Sequence, residues 1–479
     1  MATPEHSGLS HGPSELRLPF KVGARTRFSH SSRVVNGIGD LRLHLSQAPR
    51  LAQVQMVERS RQAFEHLRKL PDEEWLALLR EVGRLLDEES LPIGDTPVDP
   101  ETHVDLVTRV TGVPTVRVRS ALKSLVTDLQ RMETILSTQS PDGTAAVFRT
   151  GRSERAEHAW TLAPQGEQLA VRVPANSPAI NITWLIAFAL RRPVLLAASA
   201  WEPFTPLRLI EAIYRAGAPD GAASLAFGDL LPFMEMADQV LWAGDVADQL
   251  LSRGRRLKTY HQGRSKAVVV GELTPERVDA LTRMALSGAG RLCTNLSGLL
   301  VVGDAERAGL MLAESLAKLP ILPLTHPHAV VPAFPNPAMA RAIDAEIRAA
   351  EARGAIDLSA RCTAQERLVT VDGVSFLRPT VLLVDGEDRF FGAELPFPFV
   401  TVARARADEL PARCRNSLII STFNADRELV RRLAQEPSVD KVFQDDFASR
   451  GYDSTDPHEG FMSEFLFLKK AIWPCPAEV

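Results

Sequence analysis

Cys293 stands at the end of a glycine turn. It follows Gly288-Ala289-Gly290-Arg291-Leu292 and precedes Thr294-Asn295 and an apolar run, Leu299–Val302. A thiol carried on tightly turned backbone is open to an approaching carbonyl carbon, and its thiolate is a strong nucleophile. The other common use of a reduced cysteine is as a small core residue, and the residues alone leave both readings open. Cys362, Cys414 and Cys475 have Arg or Pro as neighbours and no such turn, which favours structural roles. Four cysteines this scattered suit neither a disulfide framework nor a zinc site.

Other polar clusters carry less. Ser287-Gly288-Ala289-Gly290 lacks the third glycine of a dinucleotide fingerprint and follows a helical pattern, so it reads as the turn after a helix. No P-loop, HExxH or GxSxG pattern occurs. His326 and His328 flank Pro327 with no matching ligand set near them in sequence, which points to a surface loop. Asp445, Asp446, Asp453 and Asp456 read as a solvated C-terminal loop.

The chain that must position Cys293 has 479 residues, enough for about three units of about 150 residues each. It is 45% hydrophobic and 24% charged, a globular balance, and its net charge of -4 gives no electrostatic case for nucleic acid. Met1 to Arg33 is polar without a signal-like apolar stretch, and Ile182–Leu190 is too short to span a bilayer, so a cytoplasmic protein with no membrane span is expected.

Residues before about Leu41 read as a loose lead-in. Helical spacing runs over Leu51–Leu70 and Asp72–Glu89 and resumes, after Pro92, Pro97 and Pro100, to about Leu136. Ala145–Arg149 and Ala159–Val173 suggest strands and turns. Beyond Pro174, apolar runs at Pro193–Ala197, Ala222–Ala226, Gln239–Trp242, Ala267–Val270, Leu299–Val302, Leu418–Thr422 and Lys441–Phe443 alternate with helical stretches. Alternation of this kind predicts an α/β protein with two mostly parallel sheets covered by helices. Phe465-Leu466-Phe467-Leu468 could add an edge strand to another unit or subunit.

Several segments together resemble the aldehyde dehydrogenase superfamily. Val173-Pro174-Ala175-Asn176-Ser177-Pro178 is similar to its P-x-N-x-P loop, and Pro193–Pro206 to the strand and turn at the cofactor's adenosine ribose. Gly288–Thr294 resembles the catalytic cysteine loop. Phe376–Val381 with Gly392–Phe397 resembles the F-x-x-P-T-V and E-x-F-G-P segments. The likeness runs from about Val171 to Ile472. Val240–Asp245, Tyr260–Lys266 and Leu78–Leu86 look like the long-chain acyl-CoA reductase branch, which includes the fatty-acid reductase of bacterial luminescence.

The resemblance implies two Rossmann-like open parallel-sheet domains with helices on both faces and a small β bridging arm. It places the N-terminal helices and cofactor domain at 1–145 and 173–266, the cysteine domain at 267–445 and the arm at 146–172 and 461–479. It implies Cys293 as nucleophile, with Asn176 and the Cys293 backbone N–H holding the oxyanion, and NADP(H) or NAD(H) contacts at Ser199, Gly228, Gly244 and Glu394. Oxidising members carry a water-activating glutamate where this chain has Tyr260-His261, and His261 could supply a proton instead. The usual ribose-strand lysine is replaced by Ala197-Ala198-Ser199, and Gln249 stands at the second glycine of the usual turn, leaving Ser199 and backbone N–H groups at a helix start to hold a phosphate or ribose. The expected activity is NAD(P)H-dependent reduction of an acyl-thioester, on coenzyme A or a carrier protein, to an aldehyde by a homodimer or homotetramer. Aldehyde oxidation to acid or acyl-CoA, and a catalytically silent scaffold, are the alternatives.

Overall fold

A computed structural model describes residues 13–152, 160–246, 248–252, 254–445 and 451–471. Cys475 and Asp446, and parts of the expected arm (153–159 and 472–479), lie outside the described residues. Contacts divide the chain into two units, Met1–Val110 with Ser120–His261 and Ser454–Val479, and Thr111–Arg119 with Gln262–Asp453.

The first unit holds a seven-stranded sheet. Its strands run in the order Leu257–Tyr260, Gln239–Ala243, Leu169–Arg172, Val194–Ala197, Ala223–Ala226, Phe20–Val22 and Arg25–Arg27. The first five are parallel and the last two antiparallel. Val194–Ala197 and Ala223–Ala226 are buried at every position, which is why the first reads as an unbroken apolar run and the second is interrupted only by Ser224, whose Oγ accepts from Gly23 N–H at 2.9 Å. The chain starts this parallel set at Leu169–Arg172, builds outward to one side, then returns to build the other. That order leaves a switch point at the carboxyl end of Leu169–Arg172, where open α/β sheets bind ligands.

The second unit has the same logic. Its seven strands lie in the order Ile356–Asp357, Thr380–Leu383, Phe399–Arg404, Gly298–Val302, Lys266–Val270, Ser417–Phe423 and Val439–Gln444, and all but the first are parallel. Helices Pro275–Leu286 and Ala305–Ala317 contribute to the core on one face, and helix Pro337–Glu351 to that on the other. Two Rossmann-like sheets are therefore present, as the alternation of runs predicts. No helix among the described residues is long and apolar enough to cross a membrane, and Ile182–Ala189 is a wholly buried helix.

Two stretches differ from expectation. The lead-in before Leu41 is ordered sheet: Glu15–Leu18 and Ser32–Asn36 flank Arg42–Ser46, and Phe20–Val22 joins the main sheet. Leu16, Leu18, Phe20 and Val22 are all buried, a period-two signal obscured by the charges and proline between them. Ala145–Arg149 is not a strand; Val147–Thr150 forms a short helix closed by Gly151 at φ 70°. The tail strand Phe467–Ala471 pairs antiparallel with Trp160–Pro164 of its own chain.

Helix Phe204–Arg215 starts on a buried carboxylate. Glu202 Oε1 accepts from the N–H groups of Phe204 (3.0 Å) and Thr205 (2.9 Å), and burial pushes this acid up from 4.5 to about 7. The unfolded carboxylate ionises at a lower pH than the folded one, so the stability it lends below pH 4.5 is lost as pH rises to about 7. Glu202→Gln should therefore gain thermal midpoint relative to the parent as pH climbs through that window and hold the gain above it. A constant offset across pH contradicts the assignment, and Glu202→Ala should cost about 1 kcal/mol in cap energy.

Candidate active site

The Cys293 loop is set by its backbone. Helix Pro275–Leu286 gives way to three left-handed residues, Gly288 (φ 52°), Ala289 (φ 60°) and Gly290 (φ 75°). A side chain on Gly290 would overlap the Phe397–Pro398 peptide, so only glycine fits there. The turn delivers Cys293, half-buried, to the margin of a core that includes Leu281, Leu312 and Val400. The Cys293 carbonyl accepts from Ser265 Oγ at 2.7 Å. Gly263 packs so closely on the same carbonyl that an added Cβ would collide with it.

Arg291 fastens the loop from within. Its Nε donates to Pro396 O (3.0 Å), Nη1 to Thr111 O (2.5 Å) and Nη2 to Ala333 O (2.8 Å). Burial draws it down to about 10, still cationic at neutral pH. Glu394 lies at the same lead-in segment as Cys293: its Oε1 accepts from Arg264 N–H at 2.5 Å. Burial raises Glu394 to about 7, while the Arg264 and Gly263 N–H groups pull the other way. Lys266, buried, donates to Arg264 O (3.0 Å) and Ser417 Oγ (2.5 Å), and desolvation lowers it to about 8. Within the second unit, Cys293 and Glu394 are thus brought to one short segment, Gly263–Lys266.

The remaining cysteines are differently placed. Cys414 is buried and pushed up to about 12; Cys362 donates to Leu358 O at 3.3 Å and is raised by burial. Neither sits on a glycine turn. His326, half-buried, and His328, exposed, sit in one turn, and among the described residues no group of three or more His, Cys, Asp or Glu is placed to hold a metal.

The first unit carries the other named residues. Asn176 is half-buried in the loop between strand Leu169–Arg172 and the turn Pro178–Asn181. Ser199, whose Oγ accepts from Trp201 N–H (3.2 Å), and Gly228 (φ 113°) follow the carboxyl ends of neighbouring parallel strands. Gly244 follows Gln239–Ala243, donates to Tyr260 O (2.9 Å), and lies beside Arg172, whose guanidinium covers Trp242 at 4.9 Å. His261 is exposed. The helix start expected to offer N–H groups to a phosphate does not do so: Glu202 already occupies them.

Sequence reasoning missed Arg291, Lys266 and Asn295. Asn295 is 5% exposed, and neither of its amide atoms has a hydrogen-bond partner. Its signal was a polar residue directly ahead of a buried strand, two positions from the thiol.

Residues 40–420 match the model of the aldehyde dehydrogenase family. The chain belongs to that family. Similar solved structures include the aldehyde dehydrogenase KauB from Pseudomonas aeruginosa, at 18% identity and TM-score 0.75 over 95% of this chain and 96% of that one. The P. syringae indole-3-acetaldehyde dehydrogenase AldA, solved with NAD+ and IAA, aligns at 18% identity and TM-score 0.77 over 95% and 96%. Betaine aldehyde dehydrogenase from Staphylococcus aureus, solved with NAD+, aligns at 17% and 0.75 over 95% of each chain. At such identities the likeness establishes the aldehyde dehydrogenase fold. No curated protein sequence matches the chain.

In this aldehyde dehydrogenase chain, the packing at Gly263 bears directly on the Cys293 backbone. Gly263→Ala should lower turnover by at least about a hundredfold, and destabilise the fold by on the order of 2 kcal/mol, because the Cys293 backbone has to move. Steady-state kinetics and urea unfolding check this; an unaffected variant contradicts the described contact.

Proposed function

We propose that the chain reduces an acyl-thioester to an aldehyde with NAD(P)H, through an acyl-enzyme on Cys293. The observation that carries this reading is the residue at the end of strand Leu257–Tyr260. Where the aldehyde-oxidising members resembled by this sequence hold a water-activating glutamate, this chain has Tyr260-His261, the Tyr260 ring lying 5.4 Å from that of His458 and under Lys258 Nζ at 5.3 Å. A phenol held between two basic side chains is a poor base for water at neutral pH, so an acyl-cysteine there outlives attack by water.

The residues fit a dinucleotide, though not by every usual contact. Four adjacent parallel strands end at this edge, two of them followed by Gly228 and Gly244, and a Cβ on Gly244 would press to 3.2 Å from Arg172 Nη1, so glycine keeps the backbone close to that guanidinium. Ser199, Gly228 and Gly244 would hold the adenosine and diphosphate half. Glu394 would take the nicotinamide ribose, its carboxylate form growing as pH passes about 7. The bound nicotinamide supplies a hydride.

Cys293 carries the covalent chemistry. Its thiolate adds to the thioester carbonyl; the carbon–sulfur bond to the donor breaks, the donor leaves as a thiol, and the acyl group remains on Cys293. The oxyanion of addition is assigned to the Asn176 amide and the Cys293 N–H. Removing one such donor costs roughly 3 kcal/mol of barrier, a hundredfold or more in rate. Hydride and a proton convert the acyl group on Cys293 to a thiohemiacetal, whose carbon–sulfur bond then breaks to release aldehyde and restore the thiol. His261, exposed beyond the Tyr260 strand, is the assigned proton donor. The fatty-acyl reductase branch supplies the substrate class, acyl-CoA or acyl-carrier protein. A homodimer or homotetramer is inferred from the ribbon of Trp160–Pro164 and Phe467–Ala471, which leaves Leu468 40% exposed.

The second reading is oxidation of aldehyde to acid or acyl-CoA on the same cysteine. The two readings separate in one assay pair. Acyl-CoA with NADPH or NADH should give aldehyde, and aldehyde with NAD(P)+ but no thiol acceptor should give at least about tenfold less acid than that. Predominant acid formation overturns the reductive reading.

A further inference from the structure

The second unit contains a cavity of about 280 Å3 that shares no residue with the Cys293 loop, the Gly263–Lys266 segment or Glu394. It lies between helices Ala305–Ala317 and Pro337–Glu351 and the start of strand Thr380–Leu383, and three arginines and three carboxylates line it. The carboxylates are engaged. Arg367 pairs with Glu351 and Asp357, and also with Asp344 behind the wall (2.7 Å); Arg348 pairs with Glu366 (3.2 Å) and Asp344 (2.8 Å).

The donors are not all engaged. Among the described residues Arg378 makes no ion pair and no side-chain hydrogen bond, and its Nε is covered from solvent. Arg367 Nε, lining the same cavity, is likewise covered and without a partner. Formal charge around the cavity wall balances, but hydrogen-bonding capacity does not: guanidinium N–H groups are left over and no carboxylate is. A guanidinium only donates, so the complement has to be an acceptor, and paired oxygens on one centre match its fork.

We propose that this cavity binds a small oxyanion, a carboxylate or a phosphate ester, with Arg378 as its principal contact. The volume is that of about nine liquid waters, so the anionic head leaves room for a few carbons. Leu316, Ala317 and Leu319 supply an apolar wall for them. Arg378, Pro379 and Thr380 belong to the Phe376–Val381 segment, but the site shares no residue with the Cys293 loop and does not depend on which direction the enzyme runs.

The test uses the whole chain at low ionic strength, titrated in separate arms with inorganic phosphate and with acetate, against sodium chloride at matched ionic strength. Saturable heat in calorimetry, with a thermal midpoint raised by about 1–3 °C near saturation, is expected in at least one arm. Phosphate alone identifies a phosphate ester, acetate alone a carboxylate, and either supports the site. Arg378→Met should abolish binding and Arg378→Lys should weaken it about tenfold, losing the fork but keeping the charge. If the methionine variant does not fold, the lysine variant makes the comparison. A response to both anions no different from chloride, or affinity unchanged in the variants, overturns the proposal.

Discussion

The Cys293 carbonyl rests on the lead-in to strand Lys266–Val270, held by Ser265 Oγ and packed against Gly263. Everything proposed for the thiol depends on that close approach of two backbones. It fixes where a nucleophile can stand without using the nucleophile's own side chain, so Sγ can react while its anchor stays put. The same segment receives Glu394 through Arg264 N–H and Lys266 through Arg264 O. One stretch of four residues thus relates the thiol's backbone to a carboxylate assigned to the cofactor.

The surroundings bear an electrostatic cost. Arg291, Lys266 and Glu394 are all drawn toward their neutral forms by burial, and Asn295 is buried with its amide unmatched. A fold selected for stability alone would replace such groups with hydrocarbon. Arg291 instead spans Thr111, Ala333 and Pro396, tying three segments distant in sequence to the residue two before the thiol.

Much of the fold was legible because parallel strands buried on both faces read as continuous apolar runs, as those at 194–197 and 298–302 do. The glycine turn announced Cys293. The ordered N-terminal strands were hidden because Leu16, Leu18, Phe20 and Val22 alternate with charged residues and Pro19 in pieces too short to read by themselves. Arg291, Lys266 and the capping role of Glu202 were hidden for another reason. A charged side chain in sequence looks solvated, and only the tertiary fold shows that Arg291 meets carbonyls 105 and 180 residues away.

The central claim is that Cys293 takes the acyl group and keeps it until hydride arrives. Intact-mass measurement after mixing the chain with a panel of acyl-thioesters, cofactor withheld, tests it directly. The account predicts one acyl increment, mapped by peptide analysis to Cys293 and missing from Cys293→Ala. An increment that persists in that variant, or none on the parent with any acyl length, contradicts it.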